Sequence, residues 1–182
     1  SVEQARNRID GAVRKLMERK PDLKIFLGLD SLGNVPSRKE LKDAEEGKDA
    51  TDMGVRAKAI SSFFRVVNSL ISEFDIPFVF VNHQYVNPQT GQPVQSGGKK
   101  PTYNAHIIIS FVSKKPKDGD LVTPDNGIRM KATTVKNRDV PEGQSCEVQV
   151  SYRDGIYKYS GLMDEAVENG FIEQNGSWYT YM

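Results

Sequence analysis

Residues 24 to 31 read Lys24-Ile-Phe-Leu-Gly-Leu-Asp30-Ser31, a nearly unbroken apolar run that stops on a carboxylate and a hydroxyl. A strand with one wet face alternates apolar and polar residues, so a run without alternation predicts a strand covered on both faces, as in a parallel sheet. Upstream, Val2, Ala5, Ile9, Val13, Leu16 and Met17 recur at helical spacing among charged residues, and Pro21 ends that helix. Downstream, Thr51 to Phe74 resumes the helical period through Met53, Ala57, Ile60, Phe63, Phe64, Val67, Leu70 and Ile71. Ile76-Pro-Phe-Val-Phe-Val81 follows as a second apolar run and ends in Asn82-His83. Helix, strand, helix, strand predicts an α/β fold with a mostly parallel sheet and helices on both faces.

Between these elements the composition turns polar. Asn34 to Asp52, with Gly33, Pro36 and Gly47 around it, is longer than an ordinary connection and reads as a functional or mobile loop. Residues 84 to 102 are rich in Pro, Gly, Gln and Asn, contain Gly97-Gly98-Lys99-Lys100, and show no periodic apolar face, which predicts a second long loop. Beyond it, His106 to Val112, Gly127 to Val135 and Cys146 to Tyr152 read as strands joined by turns, an antiparallel extension of the sheet. Ser160 to Asn169 predicts a short helix with Ser160 as N-cap and Gly170 as its stop, and Phe171 to Tyr181 a hairpin turning at Asn175-Gly176.

With 182 residues, 37% apolar and 27% charged, the chain is sized for one globular domain with a sizeable core. Its 25 basic and 24 acidic residues nearly cancel, so any polyanion contact must come from local clusters such as Lys99-Lys100 or Lys114-Lys115. The single Cys146 excludes an internal disulfide and a Cys-rich zinc site, and fits a reducing cytosol. No stretch approaches the roughly 18 apolar residues of a membrane helix, so a membrane partner is not expected and a cytoplasmic location is. His83 and His106 lie far apart in sequence without a ligand motif, and no G-x-S-x-G elbow is present, which argues against zinc and covalent chemistry.

Three constellations carry chemistry. At the carboxyl end of a central strand, Asp30 can hold Mg²⁺ directly or through its water, because ligands collect at that edge of an open parallel sheet; alone, it also serves simply to cap the next segment. Asn82-His83 ends the neighbouring strand, where an amide and an imidazole position water, report on a terminal phosphate, or bond the backbone at a loop entry. Lys136 and Arg138 alternate along an extended segment and point to one side, either clamping a phosphate or forming a solvated edge. A P-loop, G-x-x-x-x-G-K-[ST], does not occur in these residues.

Taken in order, Leu29-Asp-Ser-Leu-Gly-Asn34, Asp52-Met53 with Arg56-Ala-Lys58, Val81-Asn-His83, Val135-Lys-Asn-Arg138, Asp154-Gly-Ile156 leading to Tyr159-Ser-Gly-Leu162, and Gly176-Ser-Trp-Tyr179 resemble the RecA family of recombinases, and within it the phage UvsX branch. The resemblance covers almost the whole chain and implies a carboxy-terminal part of a RecA-like ATPase core over residues 1–182. Residues 1–112 would be its parallel part with two DNA loops, and 113–182 its antiparallel extension, short helix and hairpin. It implies that Asp30 is the Walker B carboxylate with Ser31 beside it, and that His83 stands where other members sense the γ-phosphate with glutamine. Asn82 and, more loosely, Tyr152 would lie near nucleotide, Tyr152 beside a neighbouring subunit's adenine, while Lys136 and Arg138 reach a neighbour's ATP. Residues 45 to 53 and 84 to 98 would be the DNA loops, with Met53, Arg56, Lys58, Tyr85, Gly97 and Gly98 as DNA contacts.

The implied parent is an ATP- and Mg²⁺-dependent recombinase that forms filaments on single-stranded DNA and pairs it with a homologous duplex, in a bacterial cytoplasm or phage-infected cell. The strand with the P-loop and the catalytic glutamate expected before Ser1 are missing from these residues, so the chain alone is expected not to hydrolyse ATP. Its uncovered apolar faces and strand edges are expected to drive self-association to a dimer or higher oligomer. A second reading is a degenerate RecA-like binding module that keeps DNA or subunit contacts without nucleotide chemistry.

Overall fold

The computed structural model describes residues 1–48, 53–89, 91, 93–117 and 119–181. They gather into two compact units, Ser1–Ala105 and His106–Met182. The fold is α/β, as the alternation of periods predicts, and no described helix is long and apolar enough to cross a membrane.

In the first unit, helix α1 (Val2–Arg19) opens on a capping box in which the Ser1 hydroxyl accepts from the Gln4 N–H and the Gln4 side chain reaches back to the Ser1 amine. Strand β1 (Leu27–Leu29) leads into a 3-10 turn (Leu32–Asn34), helix α2 (Arg38–Glu45), the long helix α3 (Met53–Phe74) and strand β2 (Phe78–Phe80). β1 and β2 pair in parallel, Leu27 opposite Phe78 and Leu29 opposite Phe80. Because alternate strand residues face opposite ways, Leu27, Leu29, Phe78 and Phe80 all turn to one face, where α1 and α3 pack on them. The centre of that core is Ile60, Phe63, Phe64, Val67 and Leu70 of α3, each 2% exposed or less. Burial on this scale is worth roughly 1.5–3 kcal/mol per large side chain. Phe64 meets Phe80 edge-on at 5.3 Å, and Phe63 lies 6.2 Å from Phe78.

Among the described residues, α1 and α3 pack on this face of the pair. The other face carries Phe26, Val79 and Val81 at 64%, 55% and 49% exposure. The apolar run encodes two faces fit for burial, while α1 and α3 sit side by side on the same one.

The interval read as a loop after Asn34 holds α2, which Ser37 caps: its hydroxyl accepts from the Glu40 N–H, and the Glu40 carboxylate accepts from the Ser37 N–H. Glu3 accepts from the Arg38 N–H at 2.9 Å and so ties α1 to the same cap. Partial burial pushes the Glu3 carboxyl up, but hydrogen bonds from its own backbone, Arg38 and Ser1 outweigh this and hold it below its ordinary range. The second interval read as a loop is also structured. Strands β3 (Gln84–Val86) and β4 (Pro93–Gln95) form an antiparallel hairpin, and helix α4 (Lys100–Asn104) follows. Pro93 is tolerated there because a three-residue edge strand has donors to spare.

In the second unit, strands β5 (Ile108–Lys114), β6 (Gly127–Lys136), β7 (Ser145–Ser151) and β8 (Gly155–Ile156) form an antiparallel sheet in that order. This sheet is the antiparallel extension that the sequence predicts, and its consecutive strands pair as neighbours. Arg129, 8% exposed, pairs with Asp120 and Glu147, because a cation taken out of water requires compensating charge. Gly127 admits no side chain, since a Cβ would lie 2.4 Å from the Val150 carbonyl oxygen. Helix α5 (Leu162–Glu168) starts after Gly161, and Ser160 is not its cap. The Ser160 hydroxyl instead accepts from the Gln149 N–H and faces the Glu147 carbonyl, which pins the segment to β7. Strands β9 (Ile172–Asn175) and β10 (Trp178–Tyr181) form the terminal hairpin, with Gly176 at φ +60° in its turn.

Candidate functional site

The parallel pairing of β1 and β2 brings their carboxyl ends together. The Val81 N–H donates to Leu29 and the Leu32 N–H to Val81, both at 2.9 Å, so Asp30-Ser31 and Asn82-His83 leave the sheet side by side. Ser31 is buried, and its Oγ lies 3.1 Å from His83 Nε2. Asp30 is exposed, and the Asp30–Ser31 peptide is cis. Asn82 Nδ2 donates to the Ser96 carbonyl at 2.9 Å, and the Ser96 N–H to the His83 carbonyl at 3.0 Å, which fastens the β3–β4 hairpin to the strand end. The buried Asn82 Oδ1 has no partner among the described residues. Gly33 lies against this junction: a Cβ there would be 3.1 Å from the His83 ring and 3.3 Å from Asn82 Oδ1.

The second feature of this unit is basic. On α3, Lys58, Ser61 and Arg65 follow one another at intervals of three and four residues, and therefore share one face of the helix. With Ala57 and with Lys100 of α4 they line a groove of about 450 Å³. No acidic residue lines it, and Lys58, Arg65 and Lys100 make no ion pair among the described residues. α4 is held in place by Asn68, which donates to Asn104 at 2.7 Å, and by Thr102, which donates to Gln95 at 2.9 Å. The chain reaches α4 through Gly97 and Gly98 at φ +87° and +78°, a region that glycine enters freely. A Cβ on Gly97 would stand 2.8 Å from Ile60 Cδ1, and one on Gly98 would be 4.0 Å from Ala57, so the glycine backbone runs close along α3. An open backbone beside three cations and a hydroxyl is suited to successive phosphates of a polyanion.

Of the residues predicted as DNA contacts, Lys58 lines this groove, and Gly97 and Gly98 run along α3 beside it. Tyr85 lies on β3 and is 54% exposed. Met53 opens α3, and its side chain lies outside the described residues, as do residues 49–52 of the predicted first DNA loop. Arg56 directs its guanidinium to the carbonyls of Leu32, Gly33 and Val35. Ser61 and Arg65 were not read from the sequence as site residues, and Lys100 was read only as part of the basic pair Lys99-Lys100. The spacing of Lys58, Ser61 and Arg65 was the available signal, but the groove's other wall is a five-residue helix with no periodic signature.

Lys136, Arg138 and Tyr152 belong to the second unit. Lys136 ends β6, and Arg138 follows in a turn organised by Asn137, whose Oδ1 accepts from the Asp139 and Val140 N–H groups at 2.9 and 3.3 Å. Tyr152, 66% exposed, sits where β7 turns towards β8.

No protein-family model matches the chain. Over 158 residues, 86% of its length, it is 35% identical to the recombination and repair protein of Enterobacteria phage T4, and covers 39% of that protein. It is 29% identical over 157 residues to the RecA proteins of Streptomyces rimosus and Limosilactobacillus reuteri, covering 40% and 42% of them. The chain therefore spans about two-fifths of the length of these relatives. Among solved structures, a RadB recombinase is similar over 82% of this chain and 58% of its own, with a TM-score of 0.48 and 16% identity.

Proposed function

We propose, from the premise that this chain is a homologue of the RecA-type recombinases over most of its length, that it serves DNA recombination and repair and holds the backbone of a DNA single strand in the α3–α4 groove. The observation that carries this reading is the convergence of Lys58, Ser61, Arg65 and Lys100 beside Gly97-Gly98, with no acidic residue lining the groove among the described residues. Cations and a hydroxyl answer phosphates, and the exposed Tyr85 and Val86 of the neighbouring hairpin offer apolar surface to bases, the combination used by sequence-tolerant single-strand binders. Filament formation, pairing with a duplex, and self-association through uncovered faces such as Phe26, Val79 and Val81 belong to the same proposal.

The nucleotide side of the reading rests on the strand ends. Mg²⁺ is commonly held by one or two carboxylates together with phosphate oxygens and water, and the exposed Asp30 at the end of β1 supplies one such carboxylate. No three His, Cys, Asp or Glu residues converge among the described residues, so here the ion would depend on phosphate for the rest of its shell. Ser31 and His83, bonded to each other beside Asp30, are the groups through which a terminal phosphate would be sensed, and Asn82 would pass its presence to the hairpin through Ser96. Lys136, Arg138 and Tyr152 would serve a neighbouring subunit's nucleotide. In this proposal the setting is the cytoplasm.

Titration of the chain against a labelled oligothymidylate at two salt concentrations tests the groove reading. With three cations engaged, affinity is expected to fall by about tenfold or more between roughly 50 and 200 mM salt, because each phosphate contact on a single strand contributes about 0.7 to the salt slope. Binding that ignores salt would remove the reading.

A further inference from the structure

We infer that Arg56 is a positioning residue of the α3–α4 groove rather than one of its phosphate contacts, an inference that rests on the groove being the strand-binding site proposed above. Arg56 and Lys58 look equivalent in the sequence, two cations in one short motif. On a helix, residues two apart point about 200° from each other. Lys58 lines the groove, and Arg56 faces the turn that follows Asp30-Ser31. There its Nη2 donates to the carbonyls of Gly33 and Leu32, the latter at 3.4 Å, and its Nε to the carbonyl of Val35, also at 3.4 Å. A planar fork with fixed donors suits several carbonyls of one turn, whereas an ammonium acts as a point charge.

The turn that Arg56 clasps is held from every other side. Leu32 is 1% exposed within the same core as Ile60 of α3, and its N–H donates to Val81. Gly33 is pressed on by His83, Asn82 and Ser96, a Cβ finding the last at 3.5 Å. Ser96 leads directly into Gly97 and Gly98, which run against Ile60 and Ala57. The turn is thus the junction of the strand ends, the hairpin and the helix that carries the groove, and Arg56 closes it from the helix side. Losing the clasp lets the turn and the start of α3 separate, and with them the spacing of Lys58 and Ser61 from the glycine backbone. A displacement of the turn by events at Asp30 and Ser31 would reach the groove by the same path.

Salt dependence separates position from contact. Lys58→Gln and Arg65→Gln are each expected to weaken single-strand binding and to lower the salt slope by about 0.7, since each removes a phosphate contact. Arg56→Gln is expected to weaken binding by on the order of five- to tenfold with the slope unchanged. Arg56→Lys keeps the charge but cannot span the turn, and should show the same loss at the same slope. Gly33→Ala disturbs the turn from the side opposite Arg56 and should do likewise. All are compared at a temperature where far-ultraviolet circular dichroism shows the helices intact; if Arg56→Gln does not keep them, Arg56→Lys decides. A slope lowered by Arg56→Gln as by Lys58→Gln, or wild-type affinity in Arg56→Lys, overturns the inference and leaves the groove standing. Wild-type binding without salt dependence, unchanged in Lys58→Gln and Arg65→Gln, removes the groove and the inference together.

Discussion

Reversing the two groove cations of α3, Lys58→Glu with Arg65→Glu, is expected to weaken binding of a labelled oligothymidylate by on the order of a hundredfold at low salt. Both side chains are exposed and share one helix face with Ser61, and neither has an ion-pair partner among the described residues whose loss would disturb the fold. The substitution removes two contacts and adds two repulsions in a groove that otherwise holds Lys100 as its cation. Circular dichroism should be unchanged, because exposed helix positions tolerate glutamate well. Fluorescence anisotropy reads the effect, and a loss of less than about threefold would mean that the phosphates lie elsewhere.

Phe63→Ala is expected to destabilise the first unit by about 3–5 kcal/mol. Phe63 is 1% exposed and touches Phe64 edge-on at 5.5 Å and Phe78 of β2 at 6.2 Å. The cavity would open between α3 and the two-stranded sheet, where α1 also packs. Since a domain is stable by only about 5–15 kcal/mol, such a loss removes much of the margin. Urea unfolding followed by the helical circular dichroism signal, which α1 and α3 dominate, measures it. A shift below about 1 kcal/mol would show that the core is organised differently.

The elements that bury wide apolar faces were legible in the sequence. The stripes of α1 and α3, the two apolar runs and the three longer antiparallel strands read correctly because burial imposes their periods. α2 was missed although its signature, Ser37 with Glu40 three residues on, stands in the chain; Leu41 and Ala44 make too thin a stripe among charges for periodicity to register. The β3–β4 hairpin has three-residue strands, too short to show alternation, and Pro93 argues against a strand at all. Ser160 was misread as a cap because its competing partners on β7 are distant in sequence. At the site, the strand-end residues were legible from the sheet's polarity, since two parallel strands must deliver Asp30-Ser31 and Asn82-His83 to the same edge. Of the residues that line the groove, Lys58 and the basic pair holding Lys100 stood out in the sequence, whereas Ser61 and Arg65 needed the packing of α4 on α3. Arg56 could not be told from Lys58 without knowing which way the helix turns each of them.

Hydrogen–deuterium exchange of the chain with and without an oligothymidylate tests most directly whether the α3–α4 groove holds the strand. Slowed exchange is expected along α3 from Arg56 to Arg65 and through Gly97 to Asn104, with little change in the β9–β10 hairpin. Protection confined to the second unit, with α3 and the glycine segment exchanging as freely as before, would contradict it.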